Sequence, residues 1–200
     1  MRYTGPVCRL CRREGEKLFL KGDKCTSQKC PILKKNYAPG MHGTKSSFSK
    51  QSEFGRQLRE KQKGKRIYQV SEKQFRKCYK LATKTTGVTG DRILQLLELR
   101  LDNTVYRAGL AVSRRQARQI VGHGLIKVNG RKCTISSRLV KVGDKISINA
   151  KIKLDQKKDT SPKWLTTDLK KGEAIVAFLP EKDDTERSIN AQMIVEFYSK

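Results

Sequence analysis

The chain has 200 residues, of which 36% are hydrophobic and 32% charged, and it carries a formal net charge of +26. That length permits one medium domain or two small ones with modest cores, and a charge of that size favours a polyanionic partner. An anionic membrane is the poorer fit, because no apolar run nears spanning length and no basic amphipathic terminus stands out.

Met1-Arg2-Tyr3-Thr4-Gly5-Pro6 leads straight into cysteines rather than into a secretory signal, so the chain reads as cytoplasmic. Cys8-Arg9-Leu10-Cys11 and Cys25-Thr26-Ser27-Gln28-Lys29-Cys30 form two close pairs. That spacing suits a closed tetrahedral Cys₄ site with a structural role, zinc being the expected metal and a [4Fe–4S] cluster the alternative. Two disulfides would need an oxidising compartment. Arg9, Arg12, Arg13 and Lys29 would help keep the thiolates ionised. Tyr37-Ala38-Pro39-Gly40-Met41-His42-Gly43 reads as a turn-rich loop, in which Tyr37 either stacks on a base or closes a buried turn. His42 has no second ligand at metal spacing, and Thr44–Ser52 is Ser/Lys-rich and expected to be extended.

From Glu53 the pattern is helical. Phe54, Leu58 and Gln62 share one face, and Arg56, Arg59, Lys61, Lys63, Lys65 and Arg66 crowd the rest. Ser71-Glu72-Lys73-Gln74 is a capping box for a helix that buries Phe75, Cys78, Tyr79 and Ala82. Asp91 is placed as the cap of the next helix, and Ile93, Leu94, Leu96, Leu97, Leu99 and Leu101 are the densest apolar cluster. Ser113 and Gln116 form another capping box, with Ala117, Ile120 and Val121 on one arc and Arg114, Arg115 and Arg118 on the neighbouring arc. This arginine row is expected to face phosphates, so that neutralising one arginine weakens RNA binding and spares the fold. Gly122 and Gly124 stop the helix, Leu125–Val128 reads as a strand, and Asn129-Gly130 turns it into Arg131–Ile135. Cys78 and Cys133 are expected to be core thiols. A turn at Val142-Gly143-Asp144, strands at Lys145–Ile148 and Glu173–Phe178, and a final helix capped by Asn190 with Met193, Ile194, Phe197 and Tyr198 inward complete the reading. Lys and Arg outnumber Asp and Glu by 12 to 3, 13 to 5 and 10 to 2 in the first three quarters, but only 10 to 9 in the last. The basic surface therefore belongs to the first 150 residues.

The run Leu101-Asp102-Asn103-Thr104-Val105-Tyr106-Arg107-Ala108-Gly109, with Ser113–Gln119 and Lys127-Val128-Asn129-Gly130, resembles the small RNA-binding module named after ribosomal protein S-four. The opening Arg2–Pro6, the cysteine pairs, Tyr37–Gly40 with His42-Gly43, Leu58–Lys63, Ser71–Arg76 and Ile194–Tyr198 extend the resemblance to the bacterial branch of the small-subunit ribosomal protein S-four family. The resemblance implies an α+β protein: a metal knuckle and RNA-binding extension over 1–48, a helical domain over 49–98 to which 162–200 folds back, and the module over 99–150. The module would consist of two helices and a small antiparallel sheet. It further implies a structural constituent of the small subunit that binds the five-way junction in the 5′ domain of 16S rRNA early in assembly. Contacts with ribosomal protein S-five and other small-subunit proteins, a place at the mRNA entry channel, an influence on decoding accuracy and repression of its own mRNA come with it. The residues expected on the RNA side are Arg9, Arg12, Arg13, Tyr37, His42, Arg56, Arg59, Lys61, Lys63, Arg66, Arg107, Arg114, Arg115, Arg118, His123, Lys127, Asn129, Arg131 and Lys132.

Two departures accompany the resemblance. Asn149–Lys163 is shorter than the helix-bearing connection of many relatives, and only some members carry the cysteine quartet. Two rival functions were weighed. Arg100-Leu101-Asp102 superficially matches the catalytic motif of pseudouridine synthases, but too few residues follow for a catalytic domain. A heat-shock-type ribosome-recycling factor shares the module but would lack the knuckle and the helical middle. No paired acid and base or activated nucleophile stands outside the cysteine motif, so no enzymatic activity is expected.

Overall fold

A computed structural model describes residues 3–44, 51–149 and 162–199. In chain order the helices are α1 (Cys8–Glu14), α2 (Asp23–Thr26), α3 (Pro31–Lys34), α4 (Glu53–Ile67), α5 (Glu72–Ala82), α6 (Thr89–Glu98), α7 (Leu101–Arg107), α8 (Arg114–Gly122) and α9 (Ala191–Ser199). The strands are β1 (Ile126–Val128), β2 (Arg131–Lys132), β3 (Lys145–Ile148), β4 (Leu165–Asp168) and β5 (Glu173–Val176). The chain divides into two compact units, Met1–Gly90 with Ser188–Lys200, and Asp91–Arg187. Most of the Ser/Lys-rich stretch and of the connection after Ile148 lies outside the described residues.

In the first unit, the caps foreseen from sequence form. Ser71 Oγ accepts the Gln74 N–H, and Asn190 Oδ1 accepts the N–H groups of Gln192 and Met193 at 3.1 and 3.3 Å. Ser52, a cap the sequence reading passed over, accepts from Gly55. The packed face of α4 is different from the one expected. Gln57, Lys61, Lys63, Gly64 and Ile67 are buried, whereas Phe54 is 53% exposed. The cause is the pairing of α4 with α9. Gln57 donates to Glu196 at 3.0 Å, and Lys61 lies 4.6 Å from the centre of the Phe197 ring while reaching Glu72 at 3.1 Å. An apolar stem with an acid at its tip lets a lysine sit inside. Ile194 of α9 is fully buried, and Tyr198 stacks on Tyr79 with ring centres 4.9 Å apart.

In the second unit, five strands form one antiparallel sheet in the order β2-β1-β3-β5-β4. Its buried side presents Ile126, Val128, Ile146, Ala174 and Val176 to a core completed by Leu101, Val105, Ala117, Val121 and Trp164. This is the α+β architecture expected from the sequence, with corrections. β4 was not foreseen, because four residues following a lone tryptophan give no alternation to read. β5 ends at Val176, two residues before Phe178. β5 pairs with β3, so residues 162–187 belong to the second unit and only Ser188 onward returns to the helical one. α6 begins at Thr89, so Asp91 lies in its first turn and does not precede it. Of the two thiols outside the quartet, Cys133 is buried and Cys78 half-buried.

Candidate nucleic-acid interface

Ser113 starts α8 by accepting the Gln116 N–H at 3.3 Å. The return bond of the expected box is displaced by one residue, the Gln116 side chain accepting from Val112 N–H at 2.6 Å. Ala117, Ile120 and Val121 are buried, as the helical arc requires. The neighbouring arginines are not an open row. Arg114 is 7% exposed; its Nε donates to Asn103 Oδ1 at 2.7 Å, its Nη2 to Glu186 at 3.0 Å, and its guanidinium lies 4.7 Å from the centre of the Tyr106 ring. Arg118 donates to Asp102 Oδ2 at 2.9 Å, and Arg100 grips the same carboxylate with Nε and Nη2 at 3.1 and 2.9 Å. Arg107 grips Glu98 in the same two-pronged way at 2.9 and 2.7 Å. The Glu98 side chain is wholly buried and that of Asp102 is 5% exposed, whereas Arg107 and Arg118 keep 23% and 21% of theirs in solvent.

Buried carboxylates therefore hold half-exposed guanidiniums in fixed orientations, a fork geometry that also suits phosphate. The expectation that neutralising an arginine of this row spares the fold is corrected for Arg114 and Arg118, which Asn103, Glu186 and Asp102 hold. Sequence reasoning missed Glu98 and Glu186 as members; it met Asn103 only within the run that carries the module resemblance, and Asp102 there and in the rejected catalytic motif. The available signal was scarcity: Asp102 is one of only two acidic residues between 101 and 150.

Beyond α8 the hairpin carries exposed charge. Asn129 and Gly130 have φ of 51° and 78°, the left-handed pair that a two-residue turn between twisted strands demands. Lys127, Arg131 and Lys132 are exposed, as are His123 at the end of α8 and, in part, Arg115. Asn129 is exposed and has a role inside the fold. Its Nδ2 donates to Asp144 at 2.8 Å and its Oδ1 accepts the Lys145 N–H at 2.8 Å, so it ties the hairpin to β3.

In the first unit, Arg9, Arg13, His42 and Arg56 are exposed. Arg12 donates to the Tyr37 carbonyl at 3.0 Å and lies 4.7 Å from the centre of its ring; Tyr37 is 38% exposed, so the buried-turn alternative is not the one adopted. Gly43 approaches Ala38 so closely that an added Cβ would fall 1.8 Å from its carbonyl oxygen. Arg59 and Arg66 both address Glu14, whose carboxyl burial pushes up against their pull. Lys63 pairs with Glu16 at 2.7 Å. Lys61, Lys63 and Arg66 thus have roles inside the fold.

The four thiols of the expected knuckle are free of disulfides, with Cys11, Cys25 and Cys30 buried and Cys8 half-buried. Burial raises the Cys11 thiol most; the Leu18 N–H pulls it down, and Cys25, Cys8 and Cys30 push it further up. Cys25 Sγ accepts the Lys21 N–H at 3.3 Å. The donor set is of the zinc type, but among the described residues no group of three His, Cys, Asp or Glu side chains is drawn together as a metal-holding cluster.

Among the described residues, no helix is long and apolar enough to cross a membrane. Residues 2–98 match the family model for the ribosomal protein S4/S9 N-terminal domain, and residues 99–146 match that for the S4 domain. The chain is 51% identical over 208 residues to small ribosomal subunit protein uS4 of Acetivibrio thermocellus, covering 100% of this chain and 99% of that protein. It is 52% identical over 207 residues to protein uS4A of Alkaliphilus metalliredigens and 50% identical over 206 residues to uS4 of Dictyoglomus thermophilum, with the same coverage.

Proposed function

The chain belongs to the family of small ribosomal subunit protein uS4, and on that premise we propose that it is a non-enzymatic constituent of the cytoplasmic ribosome's small subunit that binds the subunit's RNA. The observation that carries this reading is the cluster around α8. Half-exposed Arg107 and Arg118 are oriented by buried Glu98 and Asp102, and the hairpin that follows α8 in the chain exposes Lys127, Arg131 and Lys132. Oriented guanidiniums and loose lysines are the two means by which a protein meets a phosphate backbone. The finer reading is that the RNA is the five-way junction of the 16S 5′ domain, with S-five and other small-subunit proteins and entering mRNA as neighbours. Binding to its own message would follow from the same surface. Co-sedimentation with small subunits through high salt tests the assignment. A resident protein stays with the particle, whereas a transient recycling factor washes off.

The same reading assigns Cys8, Cys11, Cys25 and Cys30 to one structural metal, zinc in the first place and a [4Fe–4S] cluster in the second. What supports it is the chemistry of the four thiols, their mutual influence on Cys11 and the N–H bond to Cys25. Metal would supply folding energy to a segment with few apolar residues. Elemental analysis of natively purified protein should find about one equivalent of zinc, or about four of iron as one cluster, per chain; less than about half an equivalent of zinc and of iron removes the assignment.

A further inference from the structure

We propose that the guanidinium pair of Arg107 and Arg114 is a phosphate subsite, and that Glu186 occupies it in the free protein as a stand-in that RNA displaces. The inference rests on the RNA-binding reading above and specifies one of its contacts.

Glu186 Oε2 lies 3.0 Å from Arg114 Nη2 and 3.8 Å from Arg107 Nη2, so one anionic oxygen addresses both guanidiniums. Neither arginine depends on it for position. Arg107 is gripped from within by both oxygens of Glu98, and Arg114 is held by Asn103 Oδ1 and by the face of the Tyr106 ring. Glu186 is the outermost carboxylate of the group: its side chain is 27% exposed, against none for Glu98 and 5% for Asp102. It sits in irregular chain after the short 3-10 turn Lys182–Asp184, so its departure breaks no helix or ladder bond.

A phosphate oxygen seeks the same donors as a carboxylate and meets them in the same planar fork. Among the described residues, removing Glu186 leaves four arginines, at 100, 107, 114 and 118, set against two carboxylates, Glu98 and Asp102. The exchange therefore raises the positive charge of the site at the moment RNA arrives, without building a new site.

The test is a salt titration of RNA affinity for the full chain, with isolated 16S 5′-domain RNA as the probe. Three proteins are compared: parent, Glu186→Gln and Asp183→Asn. The last removes an exposed carboxylate from the adjacent turn and reports the effect of one unit of net charge alone. Glu186→Gln is expected to bind more tightly than Asp183→Asn at every salt concentration, because RNA no longer has to displace a carboxylate, whereas the slope of log affinity against log salt, set by the phosphate contacts that all three proteins share, should stay alike. Thermal midpoints of all three should agree, because Arg107 and Arg114 keep their inner partners. Tight parent binding with Glu186→Gln equal to or weaker than Asp183→Asn overturns the inference alone. A parent that fails to bind the RNA overturns the functional reading and the inference with it.

Discussion

At the residue scale, the acids under the arginines decide what each charge does. Glu98 accepts from Arg107 and from Asn103, and its side chain has no exposure, so Glu98→Ala leaves a guanidinium and an amide without their common partner. Removing one partner of a buried pair costs about 3–5 kcal/mol, and the thermal midpoint of the variant should fall accordingly. Arg115→Ala, on the half-buried flank of α8, should cost less than about 1 kcal/mol, because exposed ion pairs contribute little. Equal losses for the two variants would contradict this division. A pH-dependent contribution sits at Glu72. Burial pulls its carboxyl upward, but the Tyr198 hydroxyl at 2.6 Å, Lys61 and Lys65 hold it below the ordinary 4.5. Burial and the bond to Glu72 push the Tyr198 phenol far up, so it remains a donor. A carboxyl depressed in the folded state adds stability that is complete above the unfolded pKa and lost as pH falls through the folded one. Glu72→Gln should therefore lower the thermal midpoint near neutrality, and the gap from the parent should close on acidification below about pH 4.5. A gap independent of pH would contradict the assignment.

At the element scale, the hairpin and β3 act as one piece because Asn129 fastens the turn to Asp144 and Lys145. Asn129→Ala removes both of those bonds and puts a less tolerant residue at positive φ. Together these should cost about 1–3 kcal/mol and raise amide exchange in β1 and β2 before that in α7. Ala117→Asp, at a fully buried position of α8, should unfold the second unit. The elements that were legible in the sequence carry their signal locally: Ser71 and Ser113 three residues from a glutamine, Asn129-Gly130 between short apolar runs, Asn190 before an apolar stripe. What was not legible depends on distance along the chain. Lys61 is buried because Glu72 and Phe197 meet it, and Arg114 pairs with Glu186, 72 residues away. A helical wheel assigns charge to the outside and has no means of knowing that an acid waits within. The short strand β4 and the one-residue shift of the Gln116 bond lie below what residue patterns resolve.

At the scale of the whole molecule, the two units divide the work. The cysteine-bearing unit has few apolar residues ahead of α4. Chelating the metal proposed for Cys8, Cys11, Cys25 and Cys30 should accordingly loosen residues 3–44 and leave the sheet of the second unit intact, which amide exchange before and after chelation would show. Loss of protection in β1–β5 on the same time course would contradict it. The second unit carries an arginine cluster preset by buried acids and a hairpin whose lysines and arginine are exposed, the two features proposed above to meet RNA phosphates. The direct test is the salt dependence of 16S 5′-domain RNA binding by the parent and by Lys127→Ala, Arg131→Ala and Lys132→Ala, exposed positions whose loss should leave the fold unchanged. The account predicts weaker binding for each variant, with the slope of log affinity against log salt flattened by roughly 0.7–0.9 per lost contact. Three slopes equal to that of the parent would mean that RNA binds elsewhere on the protein.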